Sequence, residues 1–445
     1  MDIVVIGAGI VGLTTAWALR EDGHRVTVIE RAPVVGSGTS QGNGGQLSYR
    51  YIAPLADPDV LAKIPAWMLS RDAPVRFLPR FDPAQWRWIA DFLRACNAHD
   101  KLRSVAALLP LALYSQRLVH DLVERHGLAF DYRRNGKLVV YRDAKSFASA
   151  RALLASQPEL ASEQTALDAA GCVDAEPAPA GVREQIVGGI LTRSEEAGDC
   201  HKLCLALAER LQQGDNPAQL MLGHAVEELV LRDGTLAALS LRTPEGHAAE
   251  LPASACVLTN GVGARALAAG CGIDLPIYPL KGYSISAPVR DPAAVPTLSV
   301  TDFQRKIVYA RLGEQLRVAG MADIVGYDDN LSAERIATLV RETRQTFGAG
   351  VDLAHIQPWA GLRPATPTGR PILGASGVPG LWLNVGHGAL GFTLACGSAR
   401  IIADRIGGRT PAVPDDEFAL PAAGPQGARR PWRVTNTLAP HGTDR

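Results

Sequence analysis

The chain opens on a short apolar run. Ile3 to Ile6 read as a buried strand, residues 13–21 as a helix, and Arg25 to Glu30 as a second strand. Residues 32–48 lose this periodicity and are rich in Gly, Ser and Asn, which predicts an ordered loop. Helical spacing returns over 84–126 in two or three pieces, with Trp86, Ile89, Phe92 and Leu93 expected in the core. Phe130–Arg133 and Lys137–Tyr141 read as strands, and Asn135-Gly136 between them predicts a hairpin turn. Residues 145–155 and 163–170 read as helices. The Pro- and Gly-rich stretch 174–185 marks a crossing between domains. A helix over 200–212, capped by Asp199, precedes strand-like stretches at 219–231 and 236–242 and a buried strand at 254–260. Residues 276–287, 305–311 and 315–321 alternate like an antiparallel sheet. Helices over 332–347 and 391–406 follow, and the Pro-, Ala-, Gly- and Arg-rich 420–445 predicts a loose tail.

This order predicts an α/β fold in which two domains interleave. A Rossmann-like dinucleotide-binding domain takes 1–50, 186–265 and 355–415. An α+β substrate domain, built on a mostly antiparallel sheet, takes 51–185 and 266–354, and 416–445 form a C-terminal tail.

Composition narrows the function. The 445 residues are 47% hydrophobic, enough for two cores, and carry no net charge. With no basic excess to neutralise phosphates, nucleic acid is not an expected partner. No stretch approaches the ~20 apolar residues of a spanning helix, and the opening lacks the basic start of a signal peptide. The expected location is cytoplasmic, with peripheral contact at the inner face of the cell membrane left open. Seven scattered cysteines, an odd number, do not read as a disulfide framework. Cys200, His201 and Cys204 lie close together, but adjacent helical positions point apart and no second ligand pair follows, so no metal is expected.

The chemistry is written first in Gly7-x-Gly9-x-x-Gly12. It follows the first strand, opens a helix, and is answered by Glu30 at the end of the second strand, the full context of a dinucleotide fingerprint. Gly7 allows the tight turn, Gly9 lets backbone amides (with Ala8, Ile10 and Val11) reach a pyrophosphate, and Gly12 packs helix on strand. The helix N-terminus favours phosphate, and Glu30 is placed for a ribose hydroxyl. Gly261-Val262-Gly263-Ala264-Arg265-Ala266 is a variant that lacks its own β-α-β unit. It is therefore assigned, with Val226, Thr259 and Asn260, to the first site. A single fingerprint with most of the chain still to come fits FAD better than NAD. Asn384 to Gly391 supports this: Gly386, Gly388 and Gly391, beside Leu390 and Thr393, let backbone approach a flat ring. The helix behind them aims its N-terminus where a reduced flavin carries negative charge.

With Ser40-Gln41-Gly42-Asn43-Gly44-Gly45-Gln46-Leu47-Ser48, Gly361-Leu362-Arg363-Pro364 with Thr366-Pro367, and Gly386-His387-Gly388 with Leu390-Gly391, the chain over about 1–415 resembles the D-amino-acid dehydrogenases. These belong to the wider D-amino-acid oxidase and glycine oxidase superfamily. The resemblance implies oxidation of a D-amino acid to an imino acid, hydrolysed to a 2-oxo acid and ammonia. It also implies electrons passed to a quinone or another respiratory acceptor. It adds Arg31, Ser40, Asn43, Gly44, Gly45, Gln46 and Leu47 to the FAD site, with Tyr49 nearby. Arg363 matches the carboxylate grip, a role that suits a guanidinium fork, although a structural salt bridge would use the same residue. Tyr283 and Tyr51 are candidate substrate or lid hydroxyls, or packing residues. Ala389 stands where glycine oxidases carry an arginine, which weakens that reading. D-hydroxyproline or D-proline dehydrogenation, glycine or sarcosine oxidation, and a non-catalytic electron-carrying subunit are the alternatives.

Overall fold

The structure, a computed structural model, describes residues 1–52, 54–69, 73–156 and 163–420. The expected tail lies, beyond Leu420, outside the described residues. Among the described residues the larger strands form two principal sheets and one small one.

The first sheet has six strands in the order Ile372–Ala375, Leu381–Val385, Cys256–Leu258, Asp2–Ile6, Arg25–Glu30, Gln219–Leu222. All neighbours are parallel except the outermost pair, Ile372–Ala375 with Leu381–Val385. Such strands are apolar throughout because both faces are covered. Ile3 and Val5 pack into a core with the helices Ile10–Glu21, Ala98–His126, Cys200–Leu211 and Gly391–Ile406. Val4 and Ile6 face a second core with the helix Ala264–Gly270 and the small sheet 225–252.

The second sheet has nine strands. Its order is Gln357–Ala365, Tyr278–Pro288, Gln315–Ile324, Ile307–Leu312, Ser299–Asp302, Lys137–Tyr141, Gly188–Thr192, Gln164–Asp168, with Val75–Phe77 beside Gln315–Ile324. It is mostly antiparallel. The helix Ala333–Phe347 covers one face, around Tyr309, Val318 and Leu339. The other face turns toward the first sheet.

Several expectations change. Phe130–Arg133 is not half of a hairpin: only Arg133 pairs, with Ala197, while Lys137–Tyr141 joins Ser299–Asp302 and Gly188–Thr192. Asn135-Gly136 makes no turn: the chain runs on along the 188–197 segment, Arg133 pairing with Ala197 and Lys137 with Thr192, both antiparallel. Residues 164–168 are a strand, and the helix starts only at Ala169, where the Asp168 carboxylate accepts from Gly171 N–H. In the helix Pro83–Ala95 the buried stripe is Gln85, Trp88, Phe92 and Ala95; Trp86 and Leu93 are 50% and 40% exposed. The helix Pro58–Leu69 and strand Val75–Phe77 were not expected. The domain crossings also move. Gly188–Thr192 and Gln357–Ala365 belong to the antiparallel sheet, and Ala98–His126 packs in the dinucleotide-side core through Leu108, Leu111, Val119 and Leu122.

Candidate active site

Between the two principal sheets runs a cavity of about 2710 Å³. Its dinucleotide wall is built at the end of the first strand. A Cβ on Gly12 would collide with the Gly7 carbonyl, so only glycine lets the helix start this close to the strand. Thr259 Oγ1 donates to Ile6 O at 2.7 Å and locks the neighbouring strand. Ile10 N–H donates to Ser40 Oγ at 3.0 Å, which pins the loop after the second strand. The Glu30 carboxylate accepts from Ala8 N–H at 2.7 Å and Ala32 N–H at 3.0 Å. Each oxygen keeps a further lone pair for the cavity it borders. Neither the first helix nor the last has an acidic residue in its first turn, so both N-termini keep their positive potential.

Gly7, Gly9, Ile10, Val11, Glu30, Arg31, Ser40, Asn43, Gly44, Gln46, Val226, Thr259, Asn260, Gly261, Gly386, Gly388, Leu390, Gly391 and Thr393 all border the cavity. Ala8, Gly12, Gly45 and Leu47 do not. Ala8 and Leu47 are buried in the core, and Gly12 and Gly45 shape the turns beneath the wall. The Gln46 amide is already engaged. Its Nε2 donates to Val300 O and Tyr309 O at 3.1 and 3.2 Å, and its Oε1 accepts from Thr301 at 3.2 Å. Gln46 therefore staples the loop to the antiparallel sheet, as Arg317 does by donating to Asn43 O at 2.6 Å. Tyr49 is fully buried with its hydroxyl on Glu196, away from the cavity.

The far end of the chain completes the wall. Ser48 N–H donates to Thr393 Oγ1 at 3.2 Å, which ties the N-terminal loop to the last helix. His387 bridges to Ala365 and its Nε2 meets Ser398 Oγ at 3.1 Å. Burial pushes its pKa down to about 3, so the imidazole is neutral. Asn260 Oδ1 and Asn384 Oδ1, on residues that line this cavity, are buried acceptors without partners among the described residues. Unmet acceptors, glycine-lined walls and two helix N-termini without an acidic residue in the first turn fit a dinucleotide whose adenine, phosphates and ring reach both ends of the wall.

Arg363 stands on the opposite wall, on the edge strand Gln357–Ala365. Its guanidinium lies flat over Gly282, where any Cβ would strike it. Gly inside a strand signals such an approach. Nη1 donates to Met321 O at 2.9 Å. Met321 holds a left-handed φ of 63° within the bulge between the 278–288 and 315–324 strands, which turns its carbonyl to the guanidinium. Burial lowers the Arg363 pKa and Asp323 opposes it, but the group stays charged. Among the described residues no carboxylate lies within ion-pair distance of Arg363.

Tyr283 does not join it. Its hydroxyl donates to Asp323 Oδ2 at 3.0 Å, beside the buried Arg335–Asp323 pair, and it does not border the cavity. Burial and then Asp323 raise its pKa. Tyr51 does border the cavity, its ring beneath the Lys137 ammonium. Lys137, Gly282 and Met321 were not singled out from the sequence. Gly282 carried a signal as glycine in a strand, and Lys137 as a charge in line with Val139 and Tyr141. Among the described residues no group of three His, Cys, Asp or Glu could hold a metal ion.

The chain belongs to the FAD-dependent oxidoreductase family, whose model matches residues 2–405. Among its relatives, "D-amino acid dehydrogenase 2" of Ralstonia nicotianae is 49% identical over 429 residues, covering 94% of this chain and all of that protein. A Pseudomonas aeruginosa protein of the same name is 49% identical over 412 residues, covering 92% and 96%. In fold, the chain is similar to glycine oxidase from Geobacillus kaustophilus, with a TM-score of 0.73 at 20% identity, covering 95% and 98% of the two chains. It is also similar to L-proline dehydrogenase from P. horikoshii, with a TM-score of 0.72 at 16% identity, covering 94% and 96%.

Proposed function

We propose that this chain is a D-amino-acid dehydrogenase that binds FAD in the cavity between its two sheets. The observation that carries the reading is Arg363, a charged guanidinium without a carboxylate partner among the described residues, oriented by Met321 and Gly282 on the wall facing the dinucleotide fingerprint. Relatives at 49% identity bear that enzyme's name.

FAD would be held by Gly7 to Val11 at the pyrophosphate, Glu30 at the ribose, and Gly386 to Thr393 beside the ring, where it supplies the hydride acceptor. Arg363 would hold the substrate carboxylate through two charge-assisted hydrogen bonds and so orient Cα–H toward the ring. His387, held neutral by burial, adds no charge of its own beside Gly386 to Thr393. No general base is required of the protein once the substrate amine is deprotonated. Water then hydrolyses the imino acid to a 2-oxo acid and ammonia.

The acceptor in this reading is a quinone or another respiratory carrier, reached by a cytoplasmic protein in peripheral contact with the membrane. Among the described residues no helix is long and apolar enough to cross one. Exposed Leu78, Phe81 and Trp86, clustered with Arg80 and Arg87, support the peripheral contact. Sedimentation with anionic vesicles tests it: binding is expected to fall at least fivefold in Phe81→Asp, and wild-type protein that stays unbound would refute it. Substrate class is tested by anaerobic mixing with D- and L-amino acids while the flavin absorbance is followed.

A further inference from the structure

The cavity holds a second buried cation that the reading above leaves unused. Lys137 faces it along with Val139 and Tyr141 and is only 2% exposed. Its Nζ donates to Ser48 Oγ at 2.8 Å and lies 4.2 Å from the centre of the Tyr51 ring. Among the described residues no carboxylate lies within 4.0 Å of it. Glu195 attracts it from farther off, but that carboxylate already accepts from the N–H groups of Tyr49, Arg50 and Tyr51. Burial draws the Lys137 pKa down to about 8, which still leaves most of the side chain charged at pH 7. A buried ammonium with one hydroxyl and one ring for company is costly unless a further partner shares it.

Position identifies that partner. Ser48, which receives the Lys137 hydrogen bond, is itself tied by its N–H to Thr393 at the start of the last helix. Two positive features, the helix N-terminus and Lys137, therefore meet at one end of the cavity. The carboxylate grip is elsewhere. Arg363 lies on the first strand of the antiparallel sheet and Lys137 on the sixth. At ~4.8 Å per strand that is roughly 24 Å, beyond the span of one amino acid. Lys137 is thus no second clamp on the substrate.

We propose that Lys137 tunes the redox potential of the bound flavin: its ammonium, beside the N-terminus of the last helix, stabilises the negative charge the ring gains when it accepts a hydride. The hydride would leave substrate Cα with both electrons and reduce the bound flavin, the neutral amine would become an iminium ion that is hydrolysed by water, and Lys137 would keep its proton throughout. It acts through its field and is an electrostatic residue rather than a catalytic one. The proposal rests on the cavity being the FAD site.

The test compares the FAD-loaded wild type with Lys137→Met, Lys137→Gln and Lys137→Arg. Gln keeps a donor for Ser48 without the charge. Both neutral variants are expected to lower the equilibrium constant for flavin reduction roughly tenfold, the effect of one charge about 10 Å away at an effective dielectric near 20. That is about 30 mV for a two-electron couple. Affinity for sulfite, which adds to the ring and leaves it anionic, is expected to weaken similarly, read as reduced bleaching. Lys137→Arg should stay within threefold of wild type. Potentials and sulfite affinities within twofold of wild type in the neutral variants would overturn the proposal. So would an equal shift in Lys137→Arg, or loss of FAD from both neutral variants with retention in Lys137→Arg, which would make Lys137 a binding residue. These measurements need no amino acid. A protein inactive on every D-amino acid would still give them, so failure of the substrate assignment is distinguishable.

Discussion

At the residue scale the proposed site turns on a guanidinium and the backbone that aims it. Two charge-assisted hydrogen bonds to a carboxylate contribute about 1.5–3 kcal/mol each. Arg363→Ala is therefore expected to lower kcat/KM at least 100-fold with FAD still bound. Gly282→Ala inserts a methyl where the guanidinium lies and should lower kcat/KM about tenfold or more by displacing it. Steady-state kinetics with flavin absorbance as the loading control check both. Lys137 makes a separate prediction for the apoprotein. Its pKa falls from the ordinary 10.5 to about 8 on folding, so between those values the unfolded chain binds more protons and stability rises with pH. Lys137→Met should be more stable than wild type below pH 8, by up to about 3 kcal/mol, with the gap closing toward pH 10.5 in denaturant titrations. These residues explain which parts of the site were legible. Arg363 and the glycines sit in contiguous motifs. Tyr283 sat beside one, but its direction was set by Asp323 and Arg335 on other elements, which spacing along the chain does not reveal.

At the element scale the strands and helices of the dinucleotide side were readable because they obey local rules: apolar runs, glycine turns and an acidic strand end. The misreadings share a cause. Gln164–Asp168 is a strand because Gly188–Thr192 pairs with it, and Lys137–Tyr141 finds its neighbours at 188–192 and 299–302. Long-range pairing overrode local preference. In Pro83–Ala95 the helix was right and its phase was wrong, since Trp88, not Trp86, reaches the core and donates to Ala365 O at 2.8 Å. The correction at Tyr283 can be measured. Tyr283→Phe removes one hydrogen bond to Asp323 and is expected to cost about 1 kcal/mol of stability while kcat/KM stays within twofold. A tenfold fall in kcat/KM with FAD bound would return Tyr283 to the site. Arg335→Met leaves the Asp323 carboxylate buried without its ion pair and should cost roughly 3–5 kcal/mol, seen as a lower unfolding midpoint.

At the scale of the whole molecule, the cavity wall is assembled from both ends of the chain: Gly7 to Glu30, Asn43 to Ser48, Thr259 to Gly261, and Gly386 to Thr393. A ligand that touches all of them should couple the first sheet to the second. FAD at 100 times its Kd is expected to stabilise the protein by about 2.7 kcal/mol, measured as the shift between apo and loaded unfolding curves. A shift indistinguishable from zero would mean that the folded protein does not bind FAD. Oxidation of a D-amino acid oriented by Arg363 in this cavity is open to a single measurement. Purified, FAD-loaded protein is mixed anaerobically with a panel of D- and L-amino acids and cyclic D-imino acids, and the visible absorbance of the flavin is followed. Bleaching by D-amino acids, absent with their L-enantiomers and lost in Arg363→Ala, is the predicted result. Flavin that no D-amino or D-imino acid bleaches would rule out D-amino-acid oxidation in this cavity.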